Sequence, residues 1–170
     1  MITKLKTAAQ RKIASKKIAM TDADEKLNHW FEYPIRVQPH HTDYGGVVWH
    51  GTYITWLESA RVECLRSAGV PLEKLVEIGY DLPVVKLDIR YRQPLILGTE
   101  AIVKTRLAPT QGIRINWLYE IETRGVEGES PQVHLTGQVT LVTVDIASRK
   151  VVRRLPDEVK AILQQALDYF

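Results

Sequence analysis

Residues 41–69 read HTDYGGVVWHGTYITWLESARVECLRSAG, a loop with two adjacent glycines followed by an uninterrupted helical pattern. In the second part, apolar and small residues recur three and four positions apart, and a glycine follows the last of them. The row consists of Tyr53, Ile54, Leu57, Ala60, Arg61, Cys64, Leu65 and Ala68, with Trp56 near one edge. We expect a long helix that buries this row against a sheet, because so wide an apolar stripe is unfavourable in water.

The segments around this helix change to a period of two, which is typical of β-strands with one solvated face. Strands are predicted at residues 32–37, 85–91, 101–107, 113–121 and 133–141, with a loop at 125–131. Shorter helical patterns occupy residues 71–78 and 156–168, and a proline opens the first of them. The order of strand, long helix and four strands predicts the α+β class, with an antiparallel sheet covered by one helix.

Length and composition are those of one ordinary globular domain, with 170 residues of which 45% are hydrophobic. Six of the 23 basic residues lie in residues 1–20, which contain no acid, so 17 basic residues remain against 20 acidic ones. Residues 21–170 therefore carry a formal charge of −3, which argues against nucleic-acid binding. We expect a basic N-terminal extension at residues 1–28, either a weak amphipathic helix or a solvated tail, and a single domain at residues 29–170.

The chain has no apolar run long enough to cross a bilayer and no apolar leader with a cleavage site. We therefore expect a cytoplasmic protein without a membrane span. A start at Met20 is an alternative that would remove the basic run and keep the domain. The single cysteine, Cys64, falls on the apolar row and excludes an intrachain disulfide or a cysteine-based metal site. We expect no metal and no cofactor.

The loop at residues 41–50 is the candidate site, because it joins the first predicted strand to the long helix. Glycines let the backbone approach a ligand closely, and the first turn of a helix exposes N–H groups at the positive end of its dipole. Asp43 would place a carboxylate across from such donors, which is the minimum for acyl transfer. An aspartate in a glycine-containing loop is more often a turn former, so the residues alone leave both roles open.

The run from Thr42 to His50, continued by Tyr53, Glu58, Ala60 and Arg61, resembles the 4-hydroxybenzoyl-CoA thioesterase family in its YbgC-like acyl-CoA thioesterase branch. The resemblance extends through residues 91–94, 144–145 and 153–156 and covers about residues 33–163. It implies the hot-dog fold, an antiparallel sheet wrapped around a long central helix, and a homodimer or homotetramer built by edge-to-edge pairing of sheets. It also implies hydrolysis of an acyl-CoA to free acid and CoA. Asp43 would be the nucleophile or general base, and the His50 backbone N–H the donor to the thioester carbonyl.

The neighbouring residues allow structural as well as functional interpretations. His50 can act through its imidazole or through its backbone alone. His40 and His41 fit loop histidines better than metal ligands, and Glu58 and Arg61 are close enough on the helix to form an ion pair. We assign Asp43 and His50 to catalysis, and substrate binding to Tyr44, Gly45, Gly46, Val47, Val48, Trp49, Gly51, Tyr53, Glu58 and Arg61.

The sequence is compatible with several alternatives. A basic row on the predicted strands fits either the phosphates of CoA or a solvated sheet face; it contains Lys86, Arg90, Arg92, Lys104, Arg106 and Arg114. Dehydratases and hydratases of the same fold need motifs that this sequence lacks. The main rival from another class is a non-catalytic, regulatory module that binds acyl-CoA. A thioesterase acting on acyl carrier protein or on an aromatic acyl-CoA is a further alternative.

Overall fold

A five-stranded antiparallel sheet and one long helix form the centre of the computed structural model, which describes residues 29–110, 112–125 and 130–169. The helices are α1 (His50–Ser67), α2 (Glu73–Glu77) and α3 (Asp157–Tyr169). The strands are β1 (Phe31–Arg36), β2 (Tyr80–Asp81), β3 (Val84–Tyr91), β4 (Glu100–Leu107), β5 (Arg114–Thr123), β6 (Gln132–Val142), β7 (Val144–Asp145) and β8 (Lys150–Val151). The predicted α+β class is confirmed. The predictions for residues 1–28 and for most of the 125–131 loop lie outside the described residues.

The large sheet has the strand order β1-β4-β5-β6-β3, and every neighbouring pair is antiparallel. The alternation predicted for its central strand is confirmed, since Ile115, Trp117, Tyr119 and Ile121 on one face of β5 are all buried. A second sheet, β2-β7-β8, joins two-residue strands that are too short to produce a visible alternation, and it was not predicted. Its pairing holds the chain before β3 against the chain after β6.

Helix α1 buries the row expected from its spacing, including Tyr53, Leu57 and Cys64, against β4 and β1. Trp56 is buried as well, whereas Ile54 is exposed, so the buried stripe is rotated slightly from the predicted one. Helix α3 adds a second apolar face to the same core through Val159, Ile162, Leu163 and Ala166. None of the described helices combines the length and hydrophobicity needed to cross a bilayer.

Strand β3 differs from the expectation that its apolar row faces the core. Val85, Leu87 and Tyr91 are 56%, 40% and 48% exposed, respectively. The reason is topological, because β3 is the last strand of the sheet and pairs only with β6. Its other edge presents unpaired backbone groups beside apolar side chains, a surface on which a further strand can pair.

The basic row on the other face of the sheet is partly neutralised within the chain. Lys104 forms a 2.6 Å ion pair with Glu122, and both side chains are largely buried. The Arg106 guanidinium lies 4.9 Å from the ring centroid of Trp30 in a cation–π contact. Lys104 and Arg106 therefore make contacts within the chain that a solvated or structural role of this row would predict.

Candidate active site

The loop before α1 is held in a tight, defined shape by its own backbone. The Asp43 N–H donates to the Val47 carbonyl at 2.9 Å, and the Gly46 N–H donates to the Asp43 carbonyl at 3.0 Å. Gly46 has φ 76°, a conformation that side chains with a Cβ rarely adopt. Isolated antiparallel β-bridges pair Thr42 with Val48 and Val47 with Ile96. They hold the two sides of the loop together and fix the loop to the segment before β4.

The Asp43 carboxylate faces back over this loop. Its Oδ1 accepts a 2.8 Å hydrogen bond from the Gly45 N–H, so the turn-forming role considered from sequence is present. A Cβ on Gly45 would lie 3.1 Å from the same oxygen, which is tighter than most Cβ contacts. The other carboxylate oxygen has no hydrogen-bond partner within the described part of the chain. A half-buried carboxylate with one oxygen engaged and one available can act on a substrate without leaving its turn.

The start of α1 presents backbone N–H groups that have no partner in the described part of the chain. Trp49 is the N-cap residue, and its N–H donates to the His41 carbonyl at 3.0 Å, while the Thr52 hydroxyl donates to the same oxygen at 3.1 Å. The N–H groups of His50 and Gly51 follow at the first two helical positions and have no acceptor among the described residues. Unpaired N–H groups at the positive end of an 18-residue helix form a natural site for a carbonyl oxygen that gains negative charge.

Glycine at position 51 is explained by its neighbour Trp49. A Cβ built on Gly51 would lie 2.0 Å from an atom of the Trp49 indole, so the ring occupies the space of the missing side chain. The same ring is half-exposed, and its centroid lies 4.8 Å from that of the His50 imidazole. The Trp49 ring therefore packs against the first turn of the helix, and a larger residue at position 51 would displace it.

A cavity of about 300 Å³ opens beside these groups. Its lining residues are Val48, His50, Tyr53, Tyr91, Arg92, Gln93 and Pro94. The Tyr53 hydroxyl accepts from the Leu95 N–H at 3.2 Å, and the Tyr91 hydroxyl donates to the His50 carbonyl at 3.2 Å. Burial raises the pKa of both phenols, so both stay protonated at neutral pH. Of this wall, the sequence singled out only Arg92, as one of the basic row that fits either CoA phosphates or a solvated face. Tyr91, Gln93 and Pro94 were part of the resemblance but carry no local chemical signal of a site.

The loop histidines have structural contacts. His41 ends the short 3-10 turn at residues 39–41, its Nδ1 accepts from the Gln38 N–H at 3.0 Å, and its ring packs edge-on against Trp56. Burial, and secondarily the charge of His40, lowers the pKa of His41, which favours the neutral ring. Within the ranges that the structure describes, no group of three or more His, Cys, Asp or Glu side chains is placed to hold a metal.

The remaining candidate residues fall in two places. Tyr44 is fully exposed in the loop, as are Gly45 and Gly46, whereas Val48 is buried. Glu58 and Arg61 lie at least two turns along α1, lining a different cavity. Their predicted pairing is confirmed, with Arg61 Nη2 at 3.5 Å from Glu58 Oε1.

Cys64 lies one turn beyond Arg61 and is buried. Burial raises the pKa of its thiol to about 12, so it is the inert core residue that its position predicted.

A long helix on an antiparallel sheet, with a carboxylate loop at the helix start, matches what the resemblance implied. The chain belongs to the thioesterase-like superfamily, whose family profile matches residues 37–163, and it is a thioester hydrolase with the hot-dog fold. The Synechocystis protein sll0410 is 53% identical over 131 residues, which are 77% of this chain and 76% of the relative. Acyl-CoA thioesterase YbgC of Haemophilus influenzae is 32% identical over 136 residues, covering 79% of this chain and 95% of that protein. The structure also resembles the crystal structure of DHNA-CoA thioesterase from Staphylococcus aureus, with a TM-score of 0.69 and 25% sequence identity. The match covers 82% of this chain and 89% of that chain.

Proposed function

We propose that this protein hydrolyses acyl-CoA thioesters at the loop before α1, with Asp43 as the catalytic carboxylate. The observation that carries the proposal is that, within the described ranges, one loop presents both an Asp43 oxygen without a partner and, at the helix start that follows, the unpartnered N–H groups of His50 and Gly51. A carboxylate and an oxyanion site close to one carbonyl group are what acyl transfer needs. Of the two, His50 lines the 300 Å³ cavity, and Asp43 lies in the loop that leads to it. The name of the Haemophilus relative supports acyl-CoA as the substrate class.

In the proposed reaction the thioester carbonyl oxygen accepts hydrogen bonds at the helix start, where the dipole stabilises the negative charge that develops. As nucleophile, the Asp43 carboxylate attacks the carbonyl carbon, the C–S bond breaks, and the CoA thiolate leaves and takes up a proton. Water then opens the resulting anhydride to give the free acid and restore the carboxylate. As general base, Asp43 instead removes a proton from the water that attacks the carbonyl. Both routes give one acid and one thiol for each water consumed.

We propose further that the protein works as a homodimer, or as a homotetramer of such dimers, through the free edge of β3. Its apolar side chains and unpaired backbone groups are suited to pairing with the same strand of a second copy. The strand also contacts the site, because Tyr91 donates to the His50 carbonyl. A second copy on this edge would therefore sit beside the reacting groups.

The hydrogen bond from Gly45 to Asp43 favours one rival, a non-catalytic acyl-CoA-binding module in which Asp43 only shapes the turn. A hydrolysis screen that measures thiol release distinguishes the two functions. Its substrates are acyl-CoA esters of increasing chain length and benzoyl-CoA. Acyl carrier protein esters of the same acids distinguish the two carriers. The proposed function requires saturable thiol release from at least one acyl-CoA. Tight binding of acyl-CoA without any turnover across the panel would favour the binding module.

A further inference from the structure

The short 3-10 turn at residues 39–41 leads directly into the loop of the candidate site. His41 is its last residue, and the main-chain carbonyl of His41 accepts two hydrogen bonds from the start of α1. The Trp49 N–H donates at 3.0 Å and the Thr52 hydroxyl at 3.1 Å. Asp43 follows His41 by two residues. The backbone of His41 therefore lies between the carboxylate and the helix start, and a change in its orientation would displace both.

The half-buried imidazole of His41 is fixed by two contacts. Its Nδ1 accepts a 3.0 Å hydrogen bond from the Gln38 N–H, and its ring packs edge-on against Trp56, with 5.0 Å between the ring centroids. Because Nδ1 accepts, the ring is in its neutral form with the proton on Nε2. The neutral ring thus joins the residue before the turn to a buried side chain of α1.

Protonation of this ring would remove the contact with Gln38, because a protonated imidazole carries an N–H at both nitrogens and accepts at neither. His40 is the titratable neighbour on the same turn, with its ring centroid 4.1 Å away. Asp43 is the carboxylate of the adjoining loop, and from α1 the ring faces the uncharged Trp56. Burial, and secondarily the charge of His40, lowers the pKa of His41. The surroundings therefore favour the form that the hydrogen bond requires.

We propose that His41 is a positioning residue, whose neutral imidazole fixes the turn so that the helix start and the Asp43 loop keep the arrangement needed for hydrolysis. The proposal rests on the proposed function and extends it to a residue that acts through its neighbours. Loss of the acceptor at Nδ1 releases the Gln38 N–H and lets the turn reorient. The carboxylate then moves relative to the N–H groups of His50 and Gly51.

The pH dependence that follows has a definite sign. At neutral pH the ring is neutral and the hydrogen bond from Gln38 is complete. As the pH falls through the lowered pKa of His41, below the ordinary histidine value of about 6.5, the ring takes up a proton and kcat should fall. In the unfolded chain the ring is protonated already near the ordinary value. The folded protein should therefore also lose stability as the pH falls from the ordinary value to the lowered one.

Two substitutions of His41 separate the acceptor from the ring. His41→Asn places an amide oxygen where Nδ1 lies, so it keeps an acceptor for Gln38 that does not titrate. His41→Phe keeps a ring against Trp56 and loses the acceptor. One hydrogen bond of ordinary net strength changes an equilibrium by about 3- to 10-fold, so His41→Phe should lower kcat by about that factor at every pH. We expect His41→Asn to stay within about threefold of the wild-type kcat at pH 8 and to lack the acidic fall due to His41.

His40→Asn is the matched control on the same turn. It should keep the acidic fall in kcat and move it towards higher pH, because the charge of His40 no longer opposes protonation of His41. Asp43 is present in all of these proteins, so any inhibition that comes from its carboxylate is common to them. Profiles of kcat against pH for the wild type and the three variants therefore isolate the contribution of the His41 ring.

A second measurement does not depend on catalysis. The amide signals of Gln38, Trp49 and Gly51 are followed by NMR between pH 8 and pH 5 in the ¹⁵N-labelled full-length protein. In the wild type they should move with the same midpoint as the ring signals of His41, because the turn and the helix start are joined through its carbonyl. In His41→Asn this shared midpoint should be absent.

Amide signals of Trp49 and Gly51 that do not follow the His41 ring in the wild type would overturn the proposal. So would an acidic fall in kcat that persists in His41→Asn or disappears in His40→Asn. Full activity of His41→Phe combined with a slow His41→Asn would assign the role to packing against Trp56 and overturn it as well. If no acyl-CoA is hydrolysed but the amide signals follow His41, the proposed function fails and the positioning of the helix start by His41 stands. If hydrolysis occurs and neither the rate nor the signals depend on His41, the proposed function stands and this inference fails.

Discussion

The Tyr91 hydroxyl, at the end of edge strand β3, donates a 3.2 Å hydrogen bond to the main-chain carbonyl of His50, the first residue of α1. The Tyr91 ring also packs against Tyr53, whose ring centroid lies 5.5 Å from that of Tyr91. The free edge of the sheet and the proposed oxyanion site are therefore joined by one side chain. A displacement of β3 would therefore change the position of the backbone at the start of α1.

Replacing Tyr91 by Phe should lower the free energy of unfolding by about 0.5–1.5 kcal/mol, the usual net contribution of one hydrogen bond. The ring stays in place, so the change isolates the hydroxyl. Urea denaturation measures the effect, and Tyr33→Phe is the control, because the half-buried Tyr33 hydroxyl has no hydrogen-bond partner in the described ranges. Equal stabilities for the two variants would mean that the Tyr91 contact contributes nothing.

Sedimentation at micromolar concentration should find at least a dimer, since the apolar edge of β3 is otherwise left in water. Val85→Lys places a charge on that edge and should shift the protein towards monomer, because an unpaired charge is costly to bury. Val151→Lys is the matched control on β8, outside the five-stranded sheet. A wild-type monomer, or identical behaviour of the two lysine variants, would contradict association through β3.

Cys64 should resist alkylation by iodoacetamide at pH 8 for as long as the protein is folded. Its pKa of about 12 leaves the thiol protonated, and the side chain is buried against the core. Mass spectrometry before and after addition of urea measures the protection. A Ser148→Cys variant, exposed in the turn before β8, provides a thiol that should react at once. Rapid labelling of Cys64 in the native protein would show that α1 opens readily.

His50→Ala should reduce turnover much less than any change of Asp43. Within the described residues the imidazole makes no hydrogen bond or ion pair and has a ring contact with Trp49, whereas the backbone N–H at the helix start is retained by alanine. Steady-state kinetics with the best acyl-CoA of the screen decides the matter. A loss of about 10²–10³-fold in kcat, the usual effect of removing a transition-state donor, would instead assign a chemical role to the imidazole.

The helices and strands that show a regular spacing of apolar residues were predictable from the sequence. The α1 stripe and the alternation in β5 follow from spacings of three to four and of two residues, and the first strand was displaced by one position, residues 32–37 against Phe31–Arg36. The exposed row of β3 was not predictable, because it depends on which strand ends the sheet, and strand order is a long-range property.

The same distinction applies to the site. The loop containing Asp43 was recognised because its residues are contiguous, whereas Tyr91 reaches His50 across 41 positions of sequence. Glu58 and Arg61 were grouped with the loop because the resemblance continues through them, yet they line a separate cavity. Helical spacing specifies which residues share a face and does not specify what lies opposite that face.

The central claim is that Asp43 supplies the carboxylate for hydrolysis, and Asp43→Asn tests it most directly. The amide can keep the turn by accepting from Gly45 but cannot act as nucleophile or base. Asp168→Asn, on α3, is the matched control. We predict a fall in kcat of about 10²–10⁴-fold for Asp43→Asn, with acyl-CoA affinity and thermal stability largely retained, and near wild-type rates for the control. Turnover by Asp43→Asn within a few-fold of wild type, with deamidation to Asp excluded by mass, would contradict the claim and leave Asp43 as a turn former.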